Sequence, residues 1–143
     1  MNWVNDYMRI PFVSDGRDRK GCDCWGLVRL IMLEQAKIEI PAYAGTPTED
    51  LRNVNRNMES DSAQPPWQTG ILPGDDERFD VVLMTRLMRT DRGVSSVPMH
   101  VGLVTDKGWM IHIEKNANAA HVRLDDPRVN RKILSIHRHE QLI

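Results

Sequence analysis

The chain has few cysteines, few aromatic residues and no excess of charge of either sign. Its 143 residues include 2 cysteines, and the formal net charge is −1. Because the basic residues are scattered, the sequence offers no electrostatic basis for a nucleic-acid partner or a membrane surface. The two cysteines are separated by one residue, which is a poor geometry for an internal disulfide. A disulfide scaffold and a polyanion-binding protein are therefore not expected.

Long apolar runs are also missing. No run approaches the ~20 residues of a transmembrane helix. Residues 1–6 lack the basic segment and apolar core of a secretory signal. We therefore expect a single domain over residues 1–143, synthesised in the cytoplasm, where its thiols stay reduced.

Helical patterns precede strand patterns along the chain. Apolar spacing predicts helices over residues 2–9 and 24–37, and a third over about 46–58. Residues 59–78 predict a long surface loop that forms one wall of a groove. Residues 89–96 are predicted to be a polar connection. β-branched runs predict five strands: 79–86, 100–105, 109–114, 120–124 and 133–138. This order favours an α+β fold, with a central helix on an antiparallel sheet of about five strands.

A cysteine lies where the central helix begins. The first N–H groups of a helix have no intrahelical acceptor and form the positive end of its dipole. Both effects stabilise a thiolate, so we expect the pKa of Cys24 to be lowered. We interpret Cys24 as an activated nucleophile. Cys22 is more typical of a packed thiol, although a resolving or ligand role stays open.

The strands at 100–105 and 109–114 form a predicted hairpin. Residues 106–108 predict a three-residue loop in which Gly108 is the left-handed residue, so that Thr105 pairs with Trp109.

In that register His112 lies opposite Gly102, on the face that also carries His100. A two-residue loop would place the two imidazoles on opposite faces of the sheet. A thiol at a helix start and two adjacent imidazoles are the groups needed for a nucleophile, its base and a residue that orients the base.

Other interpretations of these residues stay open. A histidine in a strand is commonly a partly buried polar residue. A zinc site from Cys22, Cys24, His100 and His112 is possible, although its cysteine spacing differs from the usual two to four residues. The remaining histidines are predicted to be solvated strand residues: His121, His137 and His139.

Three segments together resemble the NlpC-type cell-wall cysteine peptidases, a compact branch of the papain-like fold. They are Asp-Cys-Trp-Gly-Leu-Val at 23–28, His-Val-Gly-Leu-Val at 100–104 and Met-Ile-His at 110–112. In that family the cysteine opens the central helix, a first histidine begins a strand, and a second polar residue lies on the next strand. Residues 79–82 look like the family's Gly-Asp-Val strand, with Phe79 in place of glycine.

The resemblance implies a cysteine endopeptidase or amidase acting on peptidoglycan stem peptides, next to γ-D-glutamyl and diamino-acid residues. It implies no metal and no organic cofactor. Cys24 would attack the carbonyl carbon, His100 would take its proton, and His112 would orient His100. The Cys24 backbone N–H would stabilise the oxyanion, with Asp23 beside it. The substrate groove would be lined by Trp25, Asp80 and Trp109, although the two tryptophans fit the core as well.

One position departs from the family pattern. The family usually has a tyrosine twelve residues before the cysteine, where its hydroxyl can help the oxyanion site, and this chain has Phe12 there. Loss of an oxyanion donor can cost ~10²–10³ in rate. Ser14 is a nearby candidate for a replacement donor. Two alternatives therefore stand: a structural or assembly protein that keeps the fold with weak or no activity, and an acyltransferase or other amidase.

The Cys-Trp-Gly variant at 24–26 resembles the branch of the family found in tailed-phage and prophage tail-assembly proteins. The Gly-Arg-Asp approach at 16–18 is similar to that branch too. This resemblance implies incorporation into a virion tail, with other phage tail proteins as partners.

Overall fold

The computed structural model describes residues 2–14, 16–40, 67–115 and 117–142. The regular elements of this part of the chain are helical segments, a six-stranded sheet and a two-stranded sheet. The predicted α+β class is therefore confirmed. The predicted helix at 46–58 lies outside the described residues. Among the helices that the structure describes, none is long and apolar enough to cross a membrane.

The N-terminal segments build the layer that carries the cysteines. A 3-10 helix covers Asn2–Asp6, which is shorter and tighter than the helix predicted over 2–9. Strands β1 (Arg17–Asp18) and β2 (Gly21–Cys22) pair antiparallel. Helix α1 spans Cys24–Ile31 and continues as a π-helix over Met32–Ala36, close to the predicted bounds.

The sheet is antiparallel throughout its described pairs. Its strands are β3 (Trp67–Ile71), β4 (Val81–Thr90), β5 (Gly93–Asp106), β6 (Trp109–His112), β7 (Ala120–Arg123) and β8 (Ile133–His139). Their order across the sheet is β3-β8-β4-β5-β6-β7. Helix α2 (Pro127–Asn130) precedes β8, and a 3-10 helix (Glu140–Leu142) follows it.

Two segments predicted to lie outside the sheet are strands. Within the predicted loop 59–78, residues 67–71 pair with β8, and Trp67 is buried. Residues 89–96, predicted as a polar connection, belong to the β4–β5 hairpin, where Thr90 pairs with Gly93. The turn between them is exposed. An exposed hairpin tip does not require alternating apolar residues, so the sequence pattern does not mark it as a strand.

Strands β5 and β6 carry apolar side chains on both faces, which explains their nearly continuous apolar sequence. Helix α1 packs against both strands. One cluster joins buried residues of α1 to strand residues that include Val101, Leu103 and Ile111. A second, smaller cluster includes Val104 and Met110. The sheet thus holds the start of α1 and the β5–β6 ladder in one packed unit.

Phe79 stands where the family pattern has glycine, and its backbone has the conformation that glycine favours. Its φ is 73°, and its ring stacks on Trp3 with a centroid separation of 6.0 Å. A left-handed conformation costs an L-residue about 1–2 kcal/mol. We expect Phe79→Ala to be less stable than Phe79→Gly by about 1 kcal/mol, because both lose the ring and only alanine keeps the strain. Urea unfolding of the two variants measures the difference, and a glycine variant no more stable than alanine would contradict this account.

Two of the histidines predicted to be solvated are buried instead. His139 packs edge-on to Trp67 at 5.1 Å between ring centroids, and His137 is 2% exposed. His137 Nε2 lies 2.7 Å from Ser135 Oγ, while its buried Nδ1 has no hydrogen-bond partner among the described residues. Burial lowers the pKa of His137 from 6.5 to about 4.

The burial of His137 predicts loss of stability in acid. Between about pH 6.5 and pH 4 the unfolded chain binds a proton at His137 and the folded chain does not, so stability falls as the pH falls. A shift of this size corresponds to about 3 kcal/mol at most. We expect His137→Gln, which cannot titrate, to flatten the pH dependence of urea unfolding. An unchanged dependence would assign the acid sensitivity to other groups.

Candidate active site

The site begins at the turn into α1. Cys24 is the first residue of this helix and is 7% exposed. Asp23 is the N-cap, and its Oδ1 accepts a hydrogen bond from the Gly26 backbone N–H at 2.7 Å. A satisfied N-cap fixes the first turn of a helix. The thiol is therefore held at the positive end of the helix dipole, as the sequence predicted.

The Gly-Arg-Asp approach at 16–18 supports this turn. Arg17 Nη1 lies 2.7 Å from Asp23 Oδ1 and also donates to the Gly16 carbonyl at 3.0 Å. The Asp23 backbone N–H donates to the same carbonyl at 3.3 Å. A side chain at Gly26 would collide with the Gly16 carbonyl oxygen. Arg17 thus anchors the cap residue, a role that sequence reasoning missed.

Cys22 lies apart from this chemistry. It is fully buried, and its Sγ donates to the Asp18 carbonyl at 3.1 Å. Burial raises the pKa of Cys22 to about 12, with the nearby Asp23 carboxylate adding to the effect. A thiol in this state is protonated near neutral pH and is therefore a poor nucleophile. The structure places Cys22 as a packed thiol.

His100 and His112 form a buried pair. His100 Nε2 lies 2.8 Å from His112 Nδ1, and the ring centroids are 5.1 Å apart at an interplanar angle of 73°. The two side chains are 7% and 9% exposed. The structure therefore brings together the two histidines that the sequence placed on one face. Helix α1, which starts at Cys24, packs on the strands that carry them.

The hairpin reaches this register by a route different from the predicted one. Asp106, not Thr105, pairs with Trp109, so the loop has two residues. The register then shifts between Val104 and Asp106, which restores the Leu103–Ile111 alignment. A bulge inserts one residue into one strand and so reverses the face assignment that a two-residue loop would give. Gly108 has the expected left-handed φ of 83°.

Gly102 permits the close approach of the two strands beside the histidines. A Cβ at Gly102 would collide with the Met110 side chain and lie 3.2 Å from His112 Cβ. We expect Gly102→Ala to cost about 1–3 kcal/mol and to displace the His112 ring. In a double-mutant cycle, Met110→Ala should relieve part of this cost. A double variant whose loss of stability equals the sum of the two single losses would show that the contact is unimportant.

The surroundings of His112 favour its neutral form. Burial lowers its pKa, Lys132 acts in the same direction, and the Glu114 carboxylate opposes them. A neutral imidazole has one nitrogen that accepts a hydrogen bond. His112 is therefore able to accept from a protonated His100.

The same region contains the residues that could hold a metal ion. One ligand atom each of His100, His112 and Glu114 lie within 4.8 Å of one another. Within the described ranges, Cys22 does not join this group, so the zinc site considered from the sequence is not assembled in that form. Glu114 was not singled out from the sequence.

The three residues predicted to line the substrate groove differ in how deeply they are buried. Asp80 is fully buried and forms two 2.8 Å contacts with the Arg138 guanidinium, so its assignment to a substrate groove is wrong. Trp25 is 1% exposed and belongs to the core. Trp109 is half-buried, with its ring 4.9 Å from that of His121. A groove role remains a prediction for Trp109 alone among these three.

Phe12 lies next to the nucleophile turn. It forms an isolated bridge with Cys22, and its backbone N–H donates to the Ala117 carbonyl at 3.1 Å. Its ring is partly buried against the core. Ser14 is exposed, and its proposed part in the oxyanion site stays a prediction.

Comparison with known families gives one clear match. The model of the NlpC/P60 family matches residues 9–138, which includes every residue of the candidate site. No curated protein sequence matches the chain.

Several solved structures share the fold. The NlpC/p60 domain of the peptidoglycan hydrolase SagA is 17% identical, with a TM-score of 0.55 and coverage of 93% of this chain and 92% of that one. A Bacillus cereus NlpC/P60 family protein is 17% identical, with a TM-score of 0.62 and coverage of 96% and 38%. A Staphylococcus aureus protein described as similar to lipoprotein, of the NLP/P60 family, is 16% identical, with a TM-score of 0.60 and coverage of 97% and 39%. The chain thus spans less than two fifths of the last two proteins, and at these identities the likeness concerns the papain-like fold.

Proposed function

The chain belongs to the NlpC/P60 family, and from this premise we propose that it is a cysteine peptidase that hydrolyses amide bonds in peptidoglycan stem peptides. The observation that carries the proposal is the buried His100–His112 pair at 2.8 Å, on strands packed under a helix that begins at Cys24. This arrangement supplies a nucleophile, a base and an orienting group.

We infer a role for each ring nitrogen of His100 from this arrangement. Because His100 Nε2 faces His112, its Nδ1 is the atom that takes the proton of the Cys24 thiol. The thiolate attacks the amide carbonyl carbon, and N–H groups at the start of α1 stabilise the oxyanion. The C–N bond then breaks, and the leaving amine takes the proton from His100.

The second half of the reaction releases the acyl group. Water attacks the thioester while His100 accepts one of its protons, and the C–S bond breaks to regenerate the Cys24 thiolate. His112 accepts a hydrogen bond from His100 Nε2–H throughout, both when His100 is neutral and when it is an imidazolium, and this bond holds the ring in place. No step in this sequence uses an additional cofactor.

We propose cleavage next to γ-D-glutamyl and diamino-acid residues, as the family resemblance implies. The SagA domain, which shares the fold, is described as part of a peptidoglycan hydrolase. The test is digestion of purified peptidoglycan of several stem-peptide types, with mass spectrometry of the released fragments. New amino and carboxyl termini at one stem-peptide bond support the proposal. Absence of stem-peptide cleavage in every type of peptidoglycan tested would contradict it.

A second candidate is a structural or assembly protein with weak or no activity. The observation that favours it is Phe12, which brings no hydroxyl to its position beside the nucleophile turn. Restoring the family residue with Phe12→Tyr separates the two. If the wild type is a slow enzyme, the variant should be faster by up to about 10²–10³. If both are inert, the structural candidate is favoured, as is a transferase or amidase with another substrate.

We also propose that the chain is a component of a phage or prophage tail. The support is the Cys-Trp-Gly variant at 24–26 and the Gly-Arg-Asp approach at 16–18, which the structure joins through the Arg17–Asp23 contact. On this proposal the chain is made in the cytoplasm and assembled with other tail proteins. Mass spectrometry of purified virions from induced host cells should detect it, and its absence from them would contradict the proposal.

A further inference from the structure

A protonated His100 constrains the hydrogen position on His112. In the reaction described above His100 becomes an imidazolium, with hydrogen on both ring nitrogens. Its Nε2 faces His112 Nδ1 at 2.8 Å, so that Nδ1 must carry a lone pair. A neutral His112 then carries its only ring hydrogen on Nε2. The pair works in one His112 tautomer and fails in the other, in which two N–H groups would oppose each other.

Glu114 is placed to select that tautomer. It follows the end of β6 by two residues, and alternation along an extended chain returns its side chain to the side of His112. One of its carboxylate oxygens lies within 4.8 Å of a ring nitrogen of each histidine. The side chain is exposed, and one water can bridge a separation of this size. A carboxylate only accepts hydrogen bonds, so it favours the His112 form with hydrogen on Nε2.

We propose that Glu114 is a positioning residue, which holds His112 in the tautomer that accepts the hydrogen bond of His100. The proposal rests on the proposed cysteine peptidase function. It adds Glu114 as a fourth residue to the series Cys24, His100 and His112. The Glu114 carboxylate acts on His112 and not on the substrate.

The net effect on His112 is compatible with this role. Burial and Lys132 lower the pKa of His112 and outweigh the Glu114 carboxylate, which raises it, so the neutral form that the tautomer requires is favoured. The same carboxylate offsets the positive charge that forms on His100 during the reaction. A metal ion held by the three residues is the competing interpretation. It is less consistent with the 2.8 Å contact, because the two nitrogens that face each other share a hydrogen and would have to separate.

The direct test is the tautomer of His112, read from its imidazole ¹⁵N shifts in the full chain. We expect hydrogen on Nε2 in the wild type, a mixture of tautomers in Glu114→Leu, and retention of the Nε2 form in Glu114→Gln, whose carbonyl still accepts. Glu140→Gln, another exposed glutamate, is the matched control and should leave the shifts unchanged.

Alkylation of Cys24 gives the functional readout. We expect Glu114→Leu to lower its rate at pH 7 by about tenfold, because a hydrogen bond to a charged group is lost. Glu114→Gln should recover most of this loss.

Unchanged shifts and rates in Glu114→Leu would overturn the proposal, and so would loss of wild-type reactivity on addition of EDTA, which would assign the three residues to a metal. Failure to cleave peptidoglycan, with the Glu114 effects intact, would overturn the proposed substrate and not the role of Glu114.

Discussion

Replacing Cys24 with alanine is expected to abolish hydrolysis of peptidoglycan, with a loss on the order of 10⁴-fold or more. The physical reason is that the remaining groups can polarise the carbonyl but cannot form the acyl-enzyme. The measurement is the rate of fragment release from purified peptidoglycan. The fold should survive, because Cys24 is a small side chain at the first position of α1.

Cys22 provides the matched control for this experiment. Its Sγ donates to the Asp18 carbonyl, and a serine hydroxyl can make the same hydrogen bond. We expect Cys22→Ser to keep hydrolysis within a few-fold of wild type. Comparable activity in Cys24→Ala and wild type would reject the nucleophile assignment. Loss of activity in both cysteine variants would indicate a shared structural effect instead.

Removal of His100 is expected to have the second largest effect. Without it Cys24 has no base, and general acid–base catalysis contributes typically about 10²–10⁴-fold. We expect His100→Ala to lose activity in that range and His112→Ala to lose less, because His112 acts through His100. The measurement is kcat/KM for each variant on the same stem-peptide substrate.

The two histidines should also behave as a unit. They meet at 2.8 Å, and groups that act together give strongly non-additive losses. We expect the double variant to be no worse than His100→Ala alone. His112→Asn, which keeps an acceptor for His100 Nε2, should retain more activity than His112→Ala. A double variant that loses the product of the two single losses would show that His112 acts independently of His100.

The elements of the site that depend on local rules could be predicted from the sequence. The helix start at Cys24 follows from a cap residue and an apolar run, both within a few residues. The common face of His100 and His112 follows from strand alternation. The predicted loop length was wrong. The hairpin has a two-residue loop and a bulge after Val104, which together give the same alignment as the predicted three-residue loop.

Contacts between distant segments could not be predicted. Asp80 was assigned to the groove, but it pairs with Arg138, 58 residues later, and no local pattern reveals that partner. Strand β3 was missed because it is a short edge strand with a left-handed Gly70 and little alternation. Glu114 is a single exposed acid after a strand, and it gains meaning only when the register of His112 is known.

The most direct test of the central claim is the pH dependence of Cys24 alkylation in a Cys22→Ser background. Any residual Cys22 signal is removed in this way, although the pKa of that thiol is already raised to about 12. The account predicts an apparent pKa for Cys24 well below the ordinary value of ~8.5, and a rise towards that value in His100→Ala. A Cys24 thiol that titrates near ~8.5 and is indifferent to His100 would contradict the account and leave the fold without its nucleophile.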